Sequence, residues 1–183
     1  EYKTLKILFC LLIAVISMAS QAEPIFDKEE DEYIPRKSQN QLPQKPGADG
    51  LPEYPDDNNL RQLNIRDSRS IFYVDISSIT SSIKDNIPRM VVVAISPSGA
   101  RTVTYEGFDC GKRRYMAYGY AGPEGPLRPF KDPVWKRIID QDIGRYRRTL
   151  VDSYLCTSFG YAASRDKILS RMKNLKPYTQ PNR

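Results

Sequence analysis

The chain has 183 residues, with 28 Lys or Arg against 22 Asp or Glu, and a formal net charge of +6. It contains no histidine. That absence excludes the common Ser-His-Asp and Cys-His catalytic machineries and nearly all catalytic zinc sites. The sequence also lacks a phosphate-binding loop of the P-loop or dinucleotide type.

The first 22 residues have the pattern of a secretory signal peptide. Lys3 and Lys6 form a basic start, an apolar run covers 7–19, and Ser20-Gln21-Ala22 supplies small residues where a signal peptidase cuts. We therefore predict cleavage after Ala22. The apolar run of 13 residues is shorter than the roughly 20 that cross a bilayer as a helix. The mature chain is then expected to have no transmembrane span, and an uncleaved anchor is the alternative.

Charge is unevenly distributed along the rest of the chain. Residues 23–57 contain ten acidic residues, four basic residues and six prolines, with few apolar residues. Such a composition buries too little apolar surface to offset the entropy of ordering, so we predict a disordered acidic linker. Residues 58–183 contain 22 basic and 11 acidic residues, a net charge of +11. The linker could fold back over this basic domain; solvated charge on both segments is the alternative.

The cysteines favour one disulfide bond. Signal cleavage would remove Cys10 and leave Cys110 and Cys156 in an oxidising compartment. A bond between these two would close a loop of 46 residues and stabilise the fold by about 4 kcal/mol in the chain-entropy model. Two buried free thiols are the alternative. Two cysteines without histidine cannot complete a zinc site, so we expect neither a metal nor a cofactor.

The pattern from residue 58 predicts an α+β fold, a small antiparallel sheet built around a central hairpin at about 88–110. The first arm, Met90–Ile95, is apolar at every position, so both faces of the sheet should be covered. Pro97 and Gly99 suit the turn. A bulge at Gly107 would bring four side chains to one face, and these are Val103, Tyr105, Phe108 and Cys110.

Further strands are predicted at 62–66, 70–75 and 112–120, and a helical turn or loop at 76–83. In the last of these strands Met116, Tyr118 and Tyr120 should be in phase. An amphipathic helix at about 133–154 should cover the sheet, because Asp132-Pro133 is a start signal and apolar residues recur at helical spacing. The stripe consists of Trp135, Ile139, Ile143, Tyr146, Leu150 and Tyr154. A short basic helix is expected at 164–175, with Ile168, Met172 and Leu175 along one side and a loose tail from Pro177.

Two basic clusters are candidate anion-binding residues because they interleave cations with tyrosines. They are Lys112, Arg113 and Arg114, then Arg145, Arg147 and Arg148. In an exported protein the expected partners are lipopolysaccharide phosphates, anionic lipids or an envelope protein, and nucleic acid is not expected. Alternatively, the tyrosines fill the edges of a small core while the arginine head groups lie in water.

Glu106 and Asp109 are a second candidate, since two carboxyls about 5–9.5 Å apart hydrolyse glycosides. A regular strand would place them on opposite faces, whereas the predicted bulge would bring them together. Pairing of Glu106 with Arg114 is the non-catalytic alternative. We therefore expect a non-enzymatic exported domain that binds an anionic envelope component or a partner protein, with a carboxylate-dependent glycan hydrolase as the alternative.

Several short motifs also carry a family resemblance. They are Ser96–Arg101, Val103–Cys110, Tyr115–Gly119, Trp135, and Arg145-Tyr146 leading to Tyr154-Leu155-Cys156. Over roughly residues 50–157 the chain resembles the cryptic neisserial protein (CNP-like) family, small exported bacterial envelope proteins without an established biochemical function. Residues 158–183 then form a basic C-terminal extension. The resemblance implies a periplasmic or outer-membrane-associated domain of Gram-negative bacteria and identifies no catalytic residue.

Overall fold

The structure is a computed structural model that describes residues 50–82, 85–139 and 144–180. The predicted signal peptide, its cleavage site after Ala22, the linker up to residue 49, and Ile143 lie outside the described residues. Within the described ranges the chain forms a seven-stranded antiparallel sheet and two short helices. This arrangement agrees with an α+β class, although the sheet is larger than the one predicted.

The strands follow one another across the sheet in sequence order from β1 to β5, and β6 and β7 both pair with β5. They are β1 (Leu60–Gln62), β2 (Ile71–Thr80), β3 (Arg89–Ile95), β4 (Arg101–Asp109), β5 (Arg114–Ala121), β6 (Arg128–Pro129) and β7 (Lys136–Arg137). A 3₁₀ turn, Asp57–Asn59, precedes β1. Helix α1 (Arg145–Thr149) continues as a π-helical segment, Leu150–Leu155, and α2 is Arg165–Met172.

The predicted central hairpin is confirmed. β3 pairs with β4 in unbroken register, from Ile95 opposite Arg101 to Arg89 opposite Gly107. In the turn, the Ser96 amide donates to the Ala100 carbonyl at 3.0 Å, and Gly99 has a φ of 82°, which suits glycine.

Two hydrophobic cores lie on opposite faces of this sheet, as the apolar pattern of β3 predicts. The helix face, covered by α1, the π-helical segment and α2, includes Phe72, Met90, Val92, Phe108, Tyr146, Leu150, Leu155, Ile168 and Met172. The loop face, covered by irregular segments, includes Leu60, Tyr73, Val91, Val93, Val103, Tyr105, Met116, Tyr118 and Trp135. The hairpin therefore forms the middle layer of a three-layer domain.

The bulge lies in β5, and its prediction at Gly107 was wrong. Tyr105 pairs with Gly119 whereas Glu106 pairs with Ala117, so Tyr118 is the additional residue. β4 consequently keeps its alternation and contributes Val103 and Tyr105 to the loop face, and Phe108 and Cys110 to the helix face. With apolar cover on both faces, no bulge is required to bury all four side chains.

The same bulge places Tyr120 on the opposite face of β5 from Met116 and Tyr118, although the sequence predicts that all three share one face. Met116 and Tyr118 lie in the loop-face core, while Tyr120 is opposite Thr104 and is 43% exposed. Its ring packs against Phe130 of the following loop, with centroids 4.7 Å apart. The prediction that the three share a phase was therefore wrong.

β2 is longer than predicted, and residues 76–80 are strand rather than a helical turn or loop. The pairing between β2 and β3 shifts between Asp75 and Thr80. At this irregularity the Ser78 hydroxyl donates to the Asp75 carbonyl and accepts from the Val91 amide, both at 2.8 Å. The Ser78 side chain thus replaces a missing ladder hydrogen bond to β3, which helps a serine-rich stretch continue the strand.

The predicted helix at 133–154 starts too early. Asp132-Pro133 belongs to a loop, and α1 begins only after Gly144. Trp135 lies in the loop-face core, away from the tyrosine and leucine of the predicted stripe. The segment 132–138 follows this path because it pairs with the open edge of β5. Lys136–Arg137 forms β7 on this edge, and the Ile138 amide donates to the Arg113 carbonyl at 3.1 Å.

The C-terminal helix is confirmed, since the Ser164 side chain caps α2 and Ile168, Met172 and Leu175 are buried. The part of the tail that the structure describes, up to residue 180, is not loose. The Gln62 amide donates to the Lys176 carbonyl at 2.8 Å, and the Tyr178 amide to the Leu60 carbonyl at 3.1 Å. The tail thereby pairs with β1. This strand covers Leu60–Gln62, so it ends where the strand predicted at 62–66 begins.

Residues 50–57, assigned to the disordered linker by composition, pack against the domain. Leu51 and Tyr54 contact the loop-face core, and the Tyr54 hydroxyl donates to the Pro123 carbonyl at 2.6 Å. Asp57 forms an ion pair with Arg101 at 2.7 Å. The domain thus includes contacts from residues before the predicted boundary at 58, because a few apolar anchors within a polar stretch suffice for docking.

The predicted disulfide is present between Cys110 and Cys156, whose Cα atoms are 5.6 Å apart. It joins the residue after β4 to the residue after the π-helical segment. The helix layer is thereby linked covalently to the central hairpin.

Candidate functional site

The predicted basic residues do not form a single surface. Arg114 is buried, and its guanidinium contacts Asp109 at 2.9 Å. It also lies 5.8 Å from the centroid of the Trp135 ring, on the loop face. Arg114 is therefore part of the interior rather than a surface for an external anion.

The other surface candidates are three arginines, which have carboxylate or carbonyl partners, and Lys112. Arg113 and Arg148 both contact Asp152, at 2.7 and 3.3 Å. Arg145 donates to the Arg66 carbonyl at 3.0 Å. Lys112 is exposed in the turn between β4 and β5.

Arg147 forms an ion pair with Glu106. Its Nε donates to Oε2 at 2.9 Å and its Nη2 donates to Oε1 at 2.6 Å, a bidentate geometry. The alternative pairing of Glu106 with Arg114 is wrong, because Arg114 lies opposite Asp109 on the other face of the sheet.

The Glu106 carboxylate is completely buried and accepts hydrogen bonds from three residues, two on α1 and one on β4. Besides Arg147 of α1, the Tyr146 hydroxyl donates to Oε1 at 2.7 Å, and the Thr104 hydroxyl of β4 donates to the same oxygen at 3.1 Å. A buried carboxylate is tolerated when it is paired and its lone pairs are satisfied. The network therefore attaches α1 to the middle of the sheet.

Aromatic rings enclose the Arg147 guanidinium. Its central carbon lies 3.7 Å from the centroid of Tyr115 and 4.6 Å from that of Tyr146. Tyr146 in turn stacks on Phe72 at 4.4 Å. Cation–π contact with weakly hydrated arginine is favourable in such a partly dry setting.

The protonation states of Tyr146 and Arg147 are fixed near neutral pH. Burial, and then the negative charge of Glu106, raise the pKa of Tyr146 well above its usual value. Burial alone would lower the pKa of Arg147, but the charge and hydrogen bonds of Glu106 outweigh it and raise that pKa. Tyr146 therefore remains a neutral donor and Arg147 a cation, so neither exchanges a proton in the physiological range.

A groove of about 470 Å³ opens beside this cluster, between β5 and the loop before β7. Glu106 and Arg147 line its inner wall, and Tyr115, Ala117, Phe130, Pro133 and Val134 supply mostly apolar surface. Lys131, Asp132 and Lys136 are exposed at its rim. Its volume lies within the range of small-molecule sites.

Glu106 and Asp109 do not form a two-carboxylate site. Glu106 faces the helix layer and contacts Arg147, whereas Asp109 faces the loop layer and contacts Arg114. The unbroken alternation of β4 puts them on opposite faces. The glycan-hydrolase hypothesis that combines these two carboxyls thus lacks its geometry.

Sequence reasoning named Arg147 and Glu106 but missed the groove residues Phe130, Lys131 and Lys136. They lie in a stretch that was assigned partly to the start of a helix. Pro129 and Pro133 were the available signal, because the residue before a proline disfavours helical backbone. Two prolines only four positions apart therefore indicate an extended loop rather than a helix.

Among the described residues, no cluster of three or more Cys, Asp or Glu side chains has the arrangement to hold a metal ion. Within the same ranges, none of the helices has the length and apolar character to cross a membrane.

Comparison with known proteins identifies the family. No curated protein and no solved structure matches the chain. The model of the CNP1-like family matches residues 40–173. The match extends beyond the range of the sequence resemblance and includes α2, within the stretch first treated as an extension. This chain therefore belongs to the CNP1-like family.

Proposed function

We propose that this chain is a non-enzymatic, exported envelope domain that binds an anionic ligand with an apolar portion in the groove beside Arg147. One observation carries the proposal: the groove of about 470 Å³ combines an apolar lining with cations at its rim and inner wall. Such a combination suits an amphipathic anion better than a sugar or a neutral metabolite.

The positions of the charges favour an anionic head group at the mouth of the groove. Lys131 and Lys136 are exposed there, and Asp132 offsets only one of them. The pair with Glu106 uses Nε and Nη2 of Arg147, which leaves Nη1 outside that pair. A phosphate or carboxylate could accept from these cations while its apolar part contacts Tyr115, Phe130 and Val134.

Binding is favoured over catalysis because the buried polar groups already contact each other. Glu106 accepts four hydrogen bonds from Thr104, Tyr146 and Arg147. A general acid or base must be able to reach substrate, and a nucleophile must be exposed to it. A completely buried carboxylate in a bidentate ion pair meets neither requirement.

The amino-terminal pattern and the disulfide support a periplasmic or outer-membrane-associated location. Residues 1–22 read as a signal peptide, and Cys110 is bonded to Cys156. Disulfides persist in oxidising compartments outside the cytosol. The ligand would then be lipopolysaccharide or an anionic lipid, and an acidic envelope protein is the second type of partner that the basic domain would attract.

The test is calorimetric titration of the chain from residue 23 onward, which contains every described residue, with monomeric dihexanoyl phosphatidylglycerol. Dihexanoyl phosphatidylcholine serves as the ligand without net charge. The double variant Lys131→Glu, Lys136→Glu should bind the anionic lipid at least about tenfold more weakly, since each basic residue near an anion contributes about 1 kcal/mol.

The matched control is Lys173→Glu, Lys176→Glu, which changes the net charge equally at exposed positions outside the groove. It should bind like the unaltered protein. Equal losses in both double variants would show that only overall charge matters, and an absence of binding by the unaltered protein would reject the proposal.

A further inference from the structure

The two most exposed large apolar side chains of the described residues lie together in one short loop after the disulfide. Phe159 is 83% exposed and Tyr161 is 67% exposed, whereas Ile71, Tyr120, Phe130 and Ile139 range from 36% to 46%. We call residues 157–161 the aromatic loop. Single exposed apolar residues are common on soluble proteins, but two neighbouring aromatic rings at this exposure indicate a contact surface.

The backbone of the aromatic loop is well anchored. The Thr157 amide donates to the Tyr161 carbonyl at 2.7 Å, and the Gly160 amide to the Thr157 carbonyl at 3.0 Å. The Asn86 side chain donates to the Gly160 carbonyl at 3.1 Å and accepts from the Ala162 amide at 2.6 Å. Exposure of both rings is therefore a fixed property of the fold rather than a result of loose packing.

Three basic residues lie in the segments beside the aromatic loop, and Asp152 pairs with one of them. The turn between β4 and β5 lies against it, because a side-chain carbon on Gly160 would be 3.6 Å from the Cα of Gly111. This turn exposes Lys112 and Arg113, of which Arg113 contacts Asp152. Arg165 follows the aromatic loop by four positions in the chain and is exposed, and its Nε donates to the Ile79 carbonyl at the end of β2.

Exposed aromatic rings flanked by cations are the combination that binds the interface of an anionic bilayer. The Tyr161 ring, with its polar hydroxyl, favours the head-group layer, and the Phe159 ring gains free energy by leaving water for the lipid interface. Basic residues near the surface are attracted to lipid phosphates. A protein interface usually needs about 800 Å² of complementary surface on each partner, far more than two rings in one loop present. The lipid surface is thus the occupant that this small patch fits best.

We infer that the aromatic loop docks the domain on an anionic lipid bilayer, with Phe159 and Tyr161 in the interfacial layer and Lys112 and Arg165 near lipid phosphates. This inference is independent of the groove. It predicts the orientation of the domain on a membrane, with the disulfide end of the sheet toward the lipid.

The test is co-sedimentation of the chain from residue 23 onward with vesicles of phosphatidylethanolamine and phosphatidylglycerol. Phe159→Ser combined with Tyr161→Ser should weaken vesicle binding about tenfold or more, because both apolar groups are lost from the interface. In a separate variant, Phe159→Trp, the new indole should be quenched by brominated lipid, whereas Trp135 is buried in the domain.

The matched control is Ile71→Ser combined with Ile139→Ser, which removes two exposed apolar residues elsewhere and should leave vesicle binding unchanged. Thermal unfolding of each variant shows that the fold is retained. Equal binding by the aromatic-loop variant and the unaltered protein overturns the inference. Absence of vesicle binding, or binding to an envelope protein through this loop without affinity for vesicles, overturns it as well.

Discussion

At the scale of single residues, Glu106 has the largest energetic consequence. Its carboxylate is completely buried on the helix face, and Arg147 supplies the only cation within ion-pair distance among the described residues. Loss of that cation would leave a buried negative charge with hydroxyl donors alone. Removal of one partner from a buried pair is far more destabilising than removal of a surface charge.

We predict that Arg147→Met, which keeps most of the apolar stem, lowers the free energy of unfolding by about 3–5 kcal/mol. Arg148→Met, on the exposed side of the same helix, should change it by no more than about 0.5 kcal/mol. Urea unfolding at neutral pH measures both. Similar midpoints for the two variants would contradict the structural role assigned to the Glu106–Arg147 pair.

The tyrosine in the same network predicts a loss of stability at alkaline pH. Burial raises the pKa of Tyr146 in the folded protein, whereas tyrosines of the unfolded chain titrate near pH 10. The folded state holds this proton more tightly, so stability is complete below about pH 10 and falls as the pH rises from there toward the folded pKa.

Tyr146→Phe should make the decline in the free energy of unfolding above about pH 10 shallower. The measured quantity is the slope of the free energy of unfolding against pH. The absolute free energy is not compared, because this variant also loses the hydrogen bond to Glu106. Tyr120→Phe is the control at a more exposed tyrosine. An unchanged slope in Tyr146→Phe would show that Tyr146 does not contribute to the alkaline transition.

At the scale of elements, close packing between β4 and β5 requires a glycine at position 107. A Cβ on Gly107 would lie 2.7 Å from the Cε2 and hydroxyl oxygen of Tyr118 and 3.0 Å from Ile87. The bulge in β5 directs the Tyr118 ring over this position. The glycine is needed for the space it leaves rather than for its backbone freedom.

Gly107→Ala should destabilise the protein by about 1–3 kcal/mol, as overpacking of a core does. Gly122→Ala is the matched control, since nothing lies within 4 Å of its added carbon. Chemical denaturation followed by circular dichroism compares them. Equal stability of the two variants would show that Tyr118 moves aside at little cost.

The local elements were predictable from the sequence, whereas their layering was not. The hairpin depends on turn residues such as Pro97 and Gly99, which lie between its two strands. Helix α2 depends on the Ser164 cap directly before it. In both cases the residues that determine the element are its neighbours in the sequence. Helical spacing from Trp135 to Tyr146 was misleading, because these residues enter cores on opposite faces. Periodicity indicates that residues are buried but cannot show which face of a sheet receives them.

The candidate site was predictable only in part, for the same reason. Glu106 and Arg147 were both singled out by composition, but 41 positions separate them and their pairing depends on where α1 crosses the sheet. The groove requires an extended loop at 130–136, and a helix was predicted over most of that range. Contacts between distant segments follow from topology, which short patterns do not determine.

At the scale of the whole molecule, the Cys110–Cys156 bond joins the hairpin to the helix layer across 46 positions. We predict that Cys110→Ser combined with Cys156→Ser lowers the free energy of unfolding by about 4 kcal/mol, the value expected for a loop of this length. Denaturation of this variant and of the unaltered protein tests it. If the two unfold at the same denaturant concentration, the bond does not constrain the unfolded chain.

Different regions of the molecule stabilise the fold and present the proposed binding surfaces. The ion pairs of Glu106 with Arg147 and of Asp109 with Arg114 lie on the two faces of the sheet, so two of the six predicted anion-binding residues have partners inside the fold. The proposed ligand contacts are made instead by rim residues Lys131 and Lys136, and the proposed membrane contacts by the aromatic loop. Binding is thus proposed at surfaces that the stable core positions.

The most direct test of the proposed ligand site is an amide NMR titration of the disulfide-bonded protein with monomeric dihexanoyl phosphatidylglycerol. The account predicts saturable shifts concentrated at groove residues Tyr115, Ala117 and Val134, with little change at the groove lined by residues 62–72. Shifts spread evenly over the basic surface, shifts centred on residues 62–72, or no saturable change would contradict the proposed site.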